Sequence, residues 1–160
     1  MNKVGVFVDT TNLYRTVYRK FKGKLCYEAY LEQVTKDLEV GVANAYGMYI
    51  GNTDGFISCL ASAGFATNFK RPRIIEIHDV KIKKCDWGVG LTMDVVAAIA
   101  DLDIVIIGSS DFNLLPLIRW IKKQGVEVKI VASLIPKALK DAASSYLEIP
   151  EDWLEDEDEA

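Results

Sequence analysis

Histidine and cysteine are scarce in this chain of 160 residues, and their scarcity excludes several kinds of site. The sequence holds one histidine and three cysteines, which lie far apart at Cys26, Cys59 and Cys85. A zinc finger needs four cysteine or histidine ligands at close spacing, so that class is excluded. An odd number of scattered cysteines favours free thiols in a reducing compartment, and we therefore expect a cytoplasmic protein.

Long apolar runs and glycine-rich phosphate loops are also missing. Met1-Asn2-Lys3 leads into a short apolar run over 4–8, too short for a signal peptide or a membrane span. Neither GxxxxGK[ST] nor GxGxxG occurs, which argues against phosphate-loop and dinucleotide-binding proteins. A serine hydrolase is disfavoured because its nucleophile elbow and a suitable histidine are missing. We expect no membrane association.

Charge is divided unevenly along the chain. The net charge is −4, but residues 151–160 carry seven acids and no base, so residues 1–150 sum to +3. This division predicts a single domain over 1–150 and a disordered acidic C-terminal tail over 151–160. A second interpretation is that the tail folds over a basic surface and competes with nucleic acid. Trp153 and Leu154 favour docking of its first residues.

The order of the predicted elements indicates an α/β protein. Runs rich in β-branched residues predict strands over 4–8, 42–50, 104–107 and 126–132, and extended segments over 65–69 and 73–80. Helical spacing of apolar residues predicts helices over 12–21, 27–38, 54–64, 91–100, 114–124 and 136–144. Such alternation with short connections is typical of a three-layer α/β/α fold, and we expect a mainly parallel central sheet of about five strands.

Three aspartates stand where predicted strands end or helices begin. Asp9 follows the strand over 4–8, Asp111 follows the strand over 104–107, and Asp94 lies in a helix. Ligands of open parallel sheets bind at the carboxyl ends of the strands, so these acids predict a shared site. Clustered carboxylates repel one another, which favours a divalent cation among them. Each aspartate alone also fits an ordinary helix cap or first-turn acid.

Three segments resemble motifs of one family. The run over 6–14 holds Asp9 followed by Asn12-Leu13, the run over 85–94 holds Trp87 and Asp94, and the run over 107–118 holds Asp111 before Pro116-Leu117. In this order they resemble the NYN domain, a PIN-like, LabA-like ribonuclease family. The late segments 125–128 and 139–149 are similar to its closing strand and helix.

The resemblance implies a PIN-like, Rossmann-like fold and a metal-dependent ribonuclease that hydrolyses RNA phosphodiester bonds. It implies Mg²⁺ or Mn²⁺ as cofactor and RNA as partner. The implied catalytic residues are Asp9, Asn12, Asp94 and Asp111. The implied metal ligands among them are Asp9, Asp94 and Asp111.

Two positions depart from the family pattern. The acid expected after the central tryptophan is Gly88, and the second acid of the third motif is Asn113. Asp86 and Asn113 are candidate accessory residues, Asp86 because it could replace the acid missing at Gly88. The departures keep a second hypothesis open: a catalytically weak or inactive NYN-like module that binds RNA or a protein partner.

Basic residues gather between the first and second motifs. Phosphate contacts by such residues carry no sequence information and weaken with salt. The candidate RNA-binding residues are Lys70, Arg71, Arg73, Lys81, Lys83, Lys84 and Arg15. The segment 70–84, or an exposed strand edge, could instead form a homodimer contact.

Overall fold

The computed structural model describes residues 1–157, which form eight strands and six α-helices. The strands are β1 (Lys3–Asp9), β2 (Glu39–Met48), β3 (Ala66–Lys70), β4 (Arg73–Ile77), β5 (Val80–Lys84), β6 (Ile104–Gly108), β7 (Glu127–Ala132) and β8 (Ser145–Glu148). The helices are α1 (Thr10–Phe21), α2 (Tyr27–Val34), α3 (Asp54–Ala63), α4 (Gly88–Ala98), α5 (Leu115–Lys123) and α6 (Lys137–Ala142). Short 3-10 helices cover Ile99–Asp101, Phe112–Leu114 and Glu151–Trp153.

Six strands form one parallel sheet in the order β3-β2-β1-β6-β7-β8. Strand β1 lies inside this sheet, between β2 and β6, and its residues Val4, Val6, Phe7 and Val8 are fully buried. After β1, the chain forms β2 and β3 on one side of it and later β6, β7 and β8 on the other. The strand order therefore reverses between β1 and β6, where open α/β sheets bind their ligands. The predicted fold class is confirmed, with six strands in the sheet.

Close contact between β1 and β6 depends on Gly108. Val8 pairs with Gly108 at the carboxyl ends of the two strands. A Cβ atom at position 108 would lie 2.5 Å from Cγ1 of Val8 and 2.8 Å from the hydroxyl oxygen of Tyr30. Only glycine fits this position without displacing a neighbour, so the two strand ends can meet.

Strands β4 and β5 form a separate antiparallel hairpin between β3 and α4. The single extended segment predicted over 73–80 is wrong in this respect, because the chain reverses at His78 and Asp79. Both residues adopt positive φ angles, 51° and 64°. Two such residues in succession make the tight turn that suits a two-residue hairpin loop.

The last strand was not predicted. The helix expected over 136–144 ends at Ala142, and Ser145–Glu148 pairs with β7 as the outer strand of the sheet. Its central residues Tyr146 and Leu147 are both exposed, so it lacks the alternation that marks a half-buried strand.

The first residues after position 150 pack on the domain. Trp153 is 9% exposed, and its ring meets that of Tyr30 edge to face at 5.8 Å. Its carbonyl accepts the N–H of Cys26, and the N–H of Glu155 donates to the carbonyl of Lys24. Disorder was predicted for 151–160, but residues 151–155 are ordered because Trp153 anchors that segment. Residues 158–160 of the predicted tail lie outside the described residues.

None of the helices within residues 1–157 has the length and apolar character that crossing a membrane requires.

Candidate active site

Asp9 occupies the junction between β1 and α1. Its carboxylate caps α1, accepting the N–H groups of Thr11 at 3.1 Å and Asn12 at 3.2 Å. Burial raises the pKa of the Asp9 carboxyl above its ordinary value of 3.8. The two backbone hydrogen bonds lower this pKa, the nearby charge of Asp111 raises it, and Arg15 lowers it. Asp9 is thus a helix cap, which is one of the roles that its position in the sequence predicts. Its environment also disfavours the ionised form of the carboxylate.

Asp111 lies in the loop that follows β6, across the switch point from Asp9. Its carboxylate accepts the N–H of Asn113 at 2.9 Å and caps the 3-10 helix Phe112–Leu114. Its own N–H donates to the hydroxyl of Ser109 at 3.1 Å. Because Val8 pairs with Gly108, these two acids stand at adjacent strand ends. The negative charge of Asp111 acts on Asp9 across this junction and raises its pKa.

Asn12 joins the first turn of α1 to the loop that carries Asp111. It is 6% exposed, and its side-chain oxygen accepts the N–H of Ser110 at 3.0 Å and the hydroxyl of Ser110 at 3.2 Å. Both contacts fix the loop after β6 against the first turn of α1. In this arrangement Asn12 positions Ser110, which adjoins Asp111 in the chain.

Asp94 is linked to the same edge of the sheet by a hydrogen bond from a tyrosine of β2. In the register of β1 and β2, Asp9 pairs with Tyr46. The Tyr46 hydroxyl donates a hydrogen bond of 2.7 Å to Oδ2 of Asp94, which projects from α4. Burial and this hydrogen bond raise the pKa of Tyr46, so the hydroxyl keeps its proton and serves as the donor. Asp94 is thus held by Tyr46.

Three metal ligands do not gather at one point in this arrangement. Within residues 1–157, no group of three or more histidine, cysteine, aspartate or glutamate side chains is placed to hold a metal ion. Asp9 and Asp111 flank the switch point of the sheet. Magnesium commonly binds proteins through one or two carboxylates and keeps several waters, so this pair suits it.

Comparison with known proteins supports the resemblance drawn from the three motifs. A family model described as the NYN domain matches residues 3–150. The chain belongs to the NYN domain family. It is also similar to a solved structure, that of a protein of unknown function from Vibrio parahaemolyticus RIMD 2210633. The two chains are 26% identical, each is covered over 96% of its length, and the TM-score is 0.86. No curated protein matches the chain.

The central motif of this NYN domain packs against the end of β2. The indole N–H of Trp87 donates to the carbonyl of Gly47 at 2.8 Å, and its ring lies 5.2 Å from that of Tyr46. The Asp86 carboxylate accepts the N–H of Gly88, the first residue of α4, at 2.7 Å. Asp86 is exposed and engaged locally, whereas Trp87 anchors the motif beside Tyr46.

The predicted RNA-binding residues divide into two groups. Arg15 on α1 and Lys70 at the end of β3 belong to the carboxyl edge of the sheet. Arg15 acts on the pKa of Asp9, and the Lys70 ammonium lies 4.3 Å from the centre of the Trp87 ring. The second group is exposed on the hairpin and the residues before it, and consists of Arg71, Arg73, Lys81, Lys83 and Lys84.

Sequence reasoning missed two tyrosines of this NYN domain. Tyr46 was part of a predicted strand but received no role, although it stands near that strand's carboxyl end, where site residues are expected. Tyr27 was assigned only to a helix. Its hydroxyl is buried, and among the described residues it has no hydrogen-bond partner. No sequence signal identifies that feature, because it depends on packing against distant segments.

Proposed function

We propose that the chain is a metal-dependent ribonuclease that hydrolyses RNA phosphodiester bonds at the carboxyl edge of its parallel sheet. The proposal is carried by the pair Asp9 and Asp111, two carboxylates at and just beyond the paired ends of β1 and β6, where the strand order reverses. Membership of the NYN family, which has a PIN-like nuclease fold, supports the same chemistry.

Asp9 and Asp111 are the residues that would hold Mg²⁺ or Mn²⁺. When bound, such a cation lowers the pKa of a coordinated water and neutralises charge on phosphate oxygens. Asp9 is held by two backbone N–H groups and Asp111 by one, so both carboxylates are oriented in advance. Asn12 ties the start of α1, just after Asp9, to the loop of Asp111 through Ser110, and Asp94 contributes negative charge from its position beside Tyr46.

Basic side chains flank these acids on two sides. Arg15 lies one α-helical turn beyond Thr11, and Lys70 lies at the end of β3, next to β2 in the sheet. The exposed basic hairpin extends this charge away from the edge. We propose that these groups bind the phosphates of the RNA strand, and binding should weaken as salt rises.

A second candidate function is an RNA-binding module with little or no catalysis. The observation that favours it is the engagement of Asp94 by Tyr46 at 2.7 Å, together with Gly88 and Asn113 at positions where the family pattern has acids. With fewer free carboxylates, a cation would be held less tightly, and millimolar metal or a preference for Mn²⁺ is expected.

The two functions are separated by cleavage of a labelled single-stranded RNA in Mn²⁺, Mg²⁺ or EDTA. The wild type is compared with Asp9→Asn and with the matched control Asp101→Asn, which removes an exposed acid from a 3-10 helix before β6. A nuclease cleaves only with metal, loses cleavage in Asp9→Asn and keeps it in Asp101→Asn. Equal cleavage by all three proteins would mean that the activity lies elsewhere.

Restoring the two missing acids gives the converse test. If wild type binds RNA without cleaving it, Gly88→Asp combined with Asn113→Asp should create metal-dependent cleavage while RNA affinity changes little. A Cβ atom at position 88 would lie 3.1 Å from Oδ1 of Asp86, a flexible side chain at the surface, so the substitution fits with a small shift. Cleavage that appears only in this double variant identifies the natural chain as the binding module.

A further inference from the structure

A cavity of about 630 Å³ opens beside Asp9. Thr10 and Thr11, the first two residues of α1, line it, so the cavity adjoins the candidate active site through the residues that follow Asp9. Its volume falls within the range of about 300–1,000 Å³ that is typical of small-molecule sites. It is therefore a second feature of the same edge of the sheet, distinct from the carboxylate pair.

Aromatic side chains form one part of the cavity wall. Two of them, Tyr14 and Tyr18, stack one turn apart on α1, with ring centres 6.3 Å apart and planes inclined by 10°. They are 55% and 48% exposed, so both rings are accessible from solvent. The full aromatic lining is Tyr14, Tyr18, Tyr27, Phe56 and Phe69.

Tyr27 provides a polar group that the folded chain does not satisfy. The residue is 6% exposed, its ring meets that of Phe56 at 5.6 Å, and its hydroxyl has no hydrogen-bond partner among the described residues. A buried polar group without a partner costs about 1–3 kcal/mol. Tyr27 and Glu155 line the same cavity as Thr10 and Thr11, the residues that follow Asp9.

Charged groups surround the aromatic wall. Arg15 and Lys24 line the cavity from α1 and from the segment just after it, whereas Glu155 lines it from the C-terminal segment. Two cations beside flat apolar surfaces match the parts of a nucleotide, since bases stack on aromatic rings and phosphates pair with basic groups. Fatty or purely apolar ligands would leave these cations and the Tyr27 hydroxyl unused.

We infer that this cavity binds an unpaired nucleotide of the RNA strand next to the phosphate that is cleaved. Its base stacks within the aromatic wall, the Tyr27 hydroxyl hydrogen-bonds to the base or ribose, and Arg15 and Lys24 hold the flanking phosphates. The inference rests on the proposed function, because it takes the strand at the acidic edge to be RNA. A base inside a duplex cannot enter the cavity, so single-stranded RNA is the substrate class.

Binding in EDTA tests this inference without cleavage. The affinity of a short labelled oligouridylate is measured by fluorescence anisotropy for wild type, Tyr18→Ala and Tyr146→Ala. Tyr146 is a matched control: both tyrosines are 48% exposed, and a lysine ammonium lies 5.3 Å from the Tyr18 ring and 5.1 Å from the Tyr146 ring. Because a base stacked on an aromatic side chain adds to the binding free energy, Tyr18→Ala should weaken binding about 5- to 150-fold. Tyr146→Ala should leave the affinity unchanged.

Tyr27→Phe removes only the hydroxyl and gives a second readout. Loss of one hydrogen bond to the ligand should weaken binding about 2- to 12-fold. Thermal stability should stay the same or rise, because the unpartnered buried group is gone. A merely structural hydroxyl would give the opposite result, with lower stability and unchanged affinity.

Three outcomes would overturn the inference: equal effects of Tyr18→Ala and Tyr146→Ala, binding of duplex RNA as tight as that of the single strand, or binding of uridine monophosphate as tight as that of the oligomer. The last would assign the cavity to free nucleotides. Failure here is distinguishable from failure of the proposed function. Cleavage that depends on Asp9 but not on Tyr18 removes only the nucleotide site, and Tyr18-dependent binding without cleavage removes only the nuclease.

Discussion

Replacing the Asp9 carboxylate by an amide separates the structural role of this residue from its chemical role. Asp9 caps α1 by accepting the N–H groups of Thr11 and Asn12. Asparagine caps a helix about as well as aspartate, so Asp9→Asn should keep both hydrogen bonds. What changes is the charge, which is partly buried and is disfavoured by the charge of Asp111. We therefore expect the Asp9→Asn protein, in EDTA at neutral pH, to be at least as stable as wild type.

Asp9→Ala is the comparison that reveals the cap. It removes the acceptor as well as the charge and should be less stable than Asp9→Asn by about 0.5–2 kcal/mol. For a domain of about this size, 1 kcal/mol moves the melting temperature by about 2–4 °C, so the two variants should melt roughly 1–8 °C apart. Circular dichroism during thermal and urea unfolding measures both quantities.

The pH dependence follows from the direction of the pKa shift. The pKa of Asp9 is raised above 3.8, so the folded chain binds this proton more tightly than the unfolded chain. The ionised carboxylate costs stability at pH values above its raised pKa, and this cost disappears as the pH falls through that pKa toward 3.8. The advantage of Asp9→Asn over wild type should therefore be largest at neutral pH and shrink toward acid. A variant that melts well below wild type at neutral pH would refute the reasoning, because it would show a favourably paired carboxylate.

Two further substitutions test the packing around the site. Tyr46→Phe removes the 2.7 Å hydrogen bond to Asp94 and should lower the free energy of unfolding by about 1–3 kcal/mol in urea titrations. The control Tyr49→Phe, at an exposed ring, should have little effect. Equal effects of the two substitutions would contradict the role given to the hydrogen bond. Trp153→Ala should lower the free energy of unfolding by about 3 kcal/mol and expose the Cys26 amide to hydrogen exchange. Unchanged protection of that amide would show that the C-terminal segment does not pack as described.

The main features of the fold were predictable because they rest on short apolar runs. Val4 to Val8 is a continuous buried strand, and its composition alone places Asp9 at a strand end. The same holds for Ile104 to Ile107 and the loop that carries Asp111. The hairpin turn at His78 and Asp79 was not predictable in this way, because its positive φ angles occur without the usual Asn-Gly or Asp-Gly pair.

The parts of the site that escaped prediction depend on long-range register. Tyr46 meets Asp94 only because β2 pairs with β1 in one register and α4 packs beside them, and no local pattern specifies that meeting. The Tyr27 hydroxyl is a similar case, since its lack of a partner arises from burial among segments distant in sequence. The predicted roles of Asp86 and Asn113 as accessory residues stay predictions.

The pairing of β1 with β6 has a consequence for protein synthesis. Val4 pairs with Ile104, so β1 can pair with β6 only after most of the domain has been translated. At about 5–20 residues per second, the intervening chain takes roughly 5–20 s to emerge. Parallel pairing between such distant segments is also slow to form. Asp9 and Asp111 therefore come together only after translation has passed position 111, and a shorter nascent chain has no assembled acidic site, whatever RNA lies beside it.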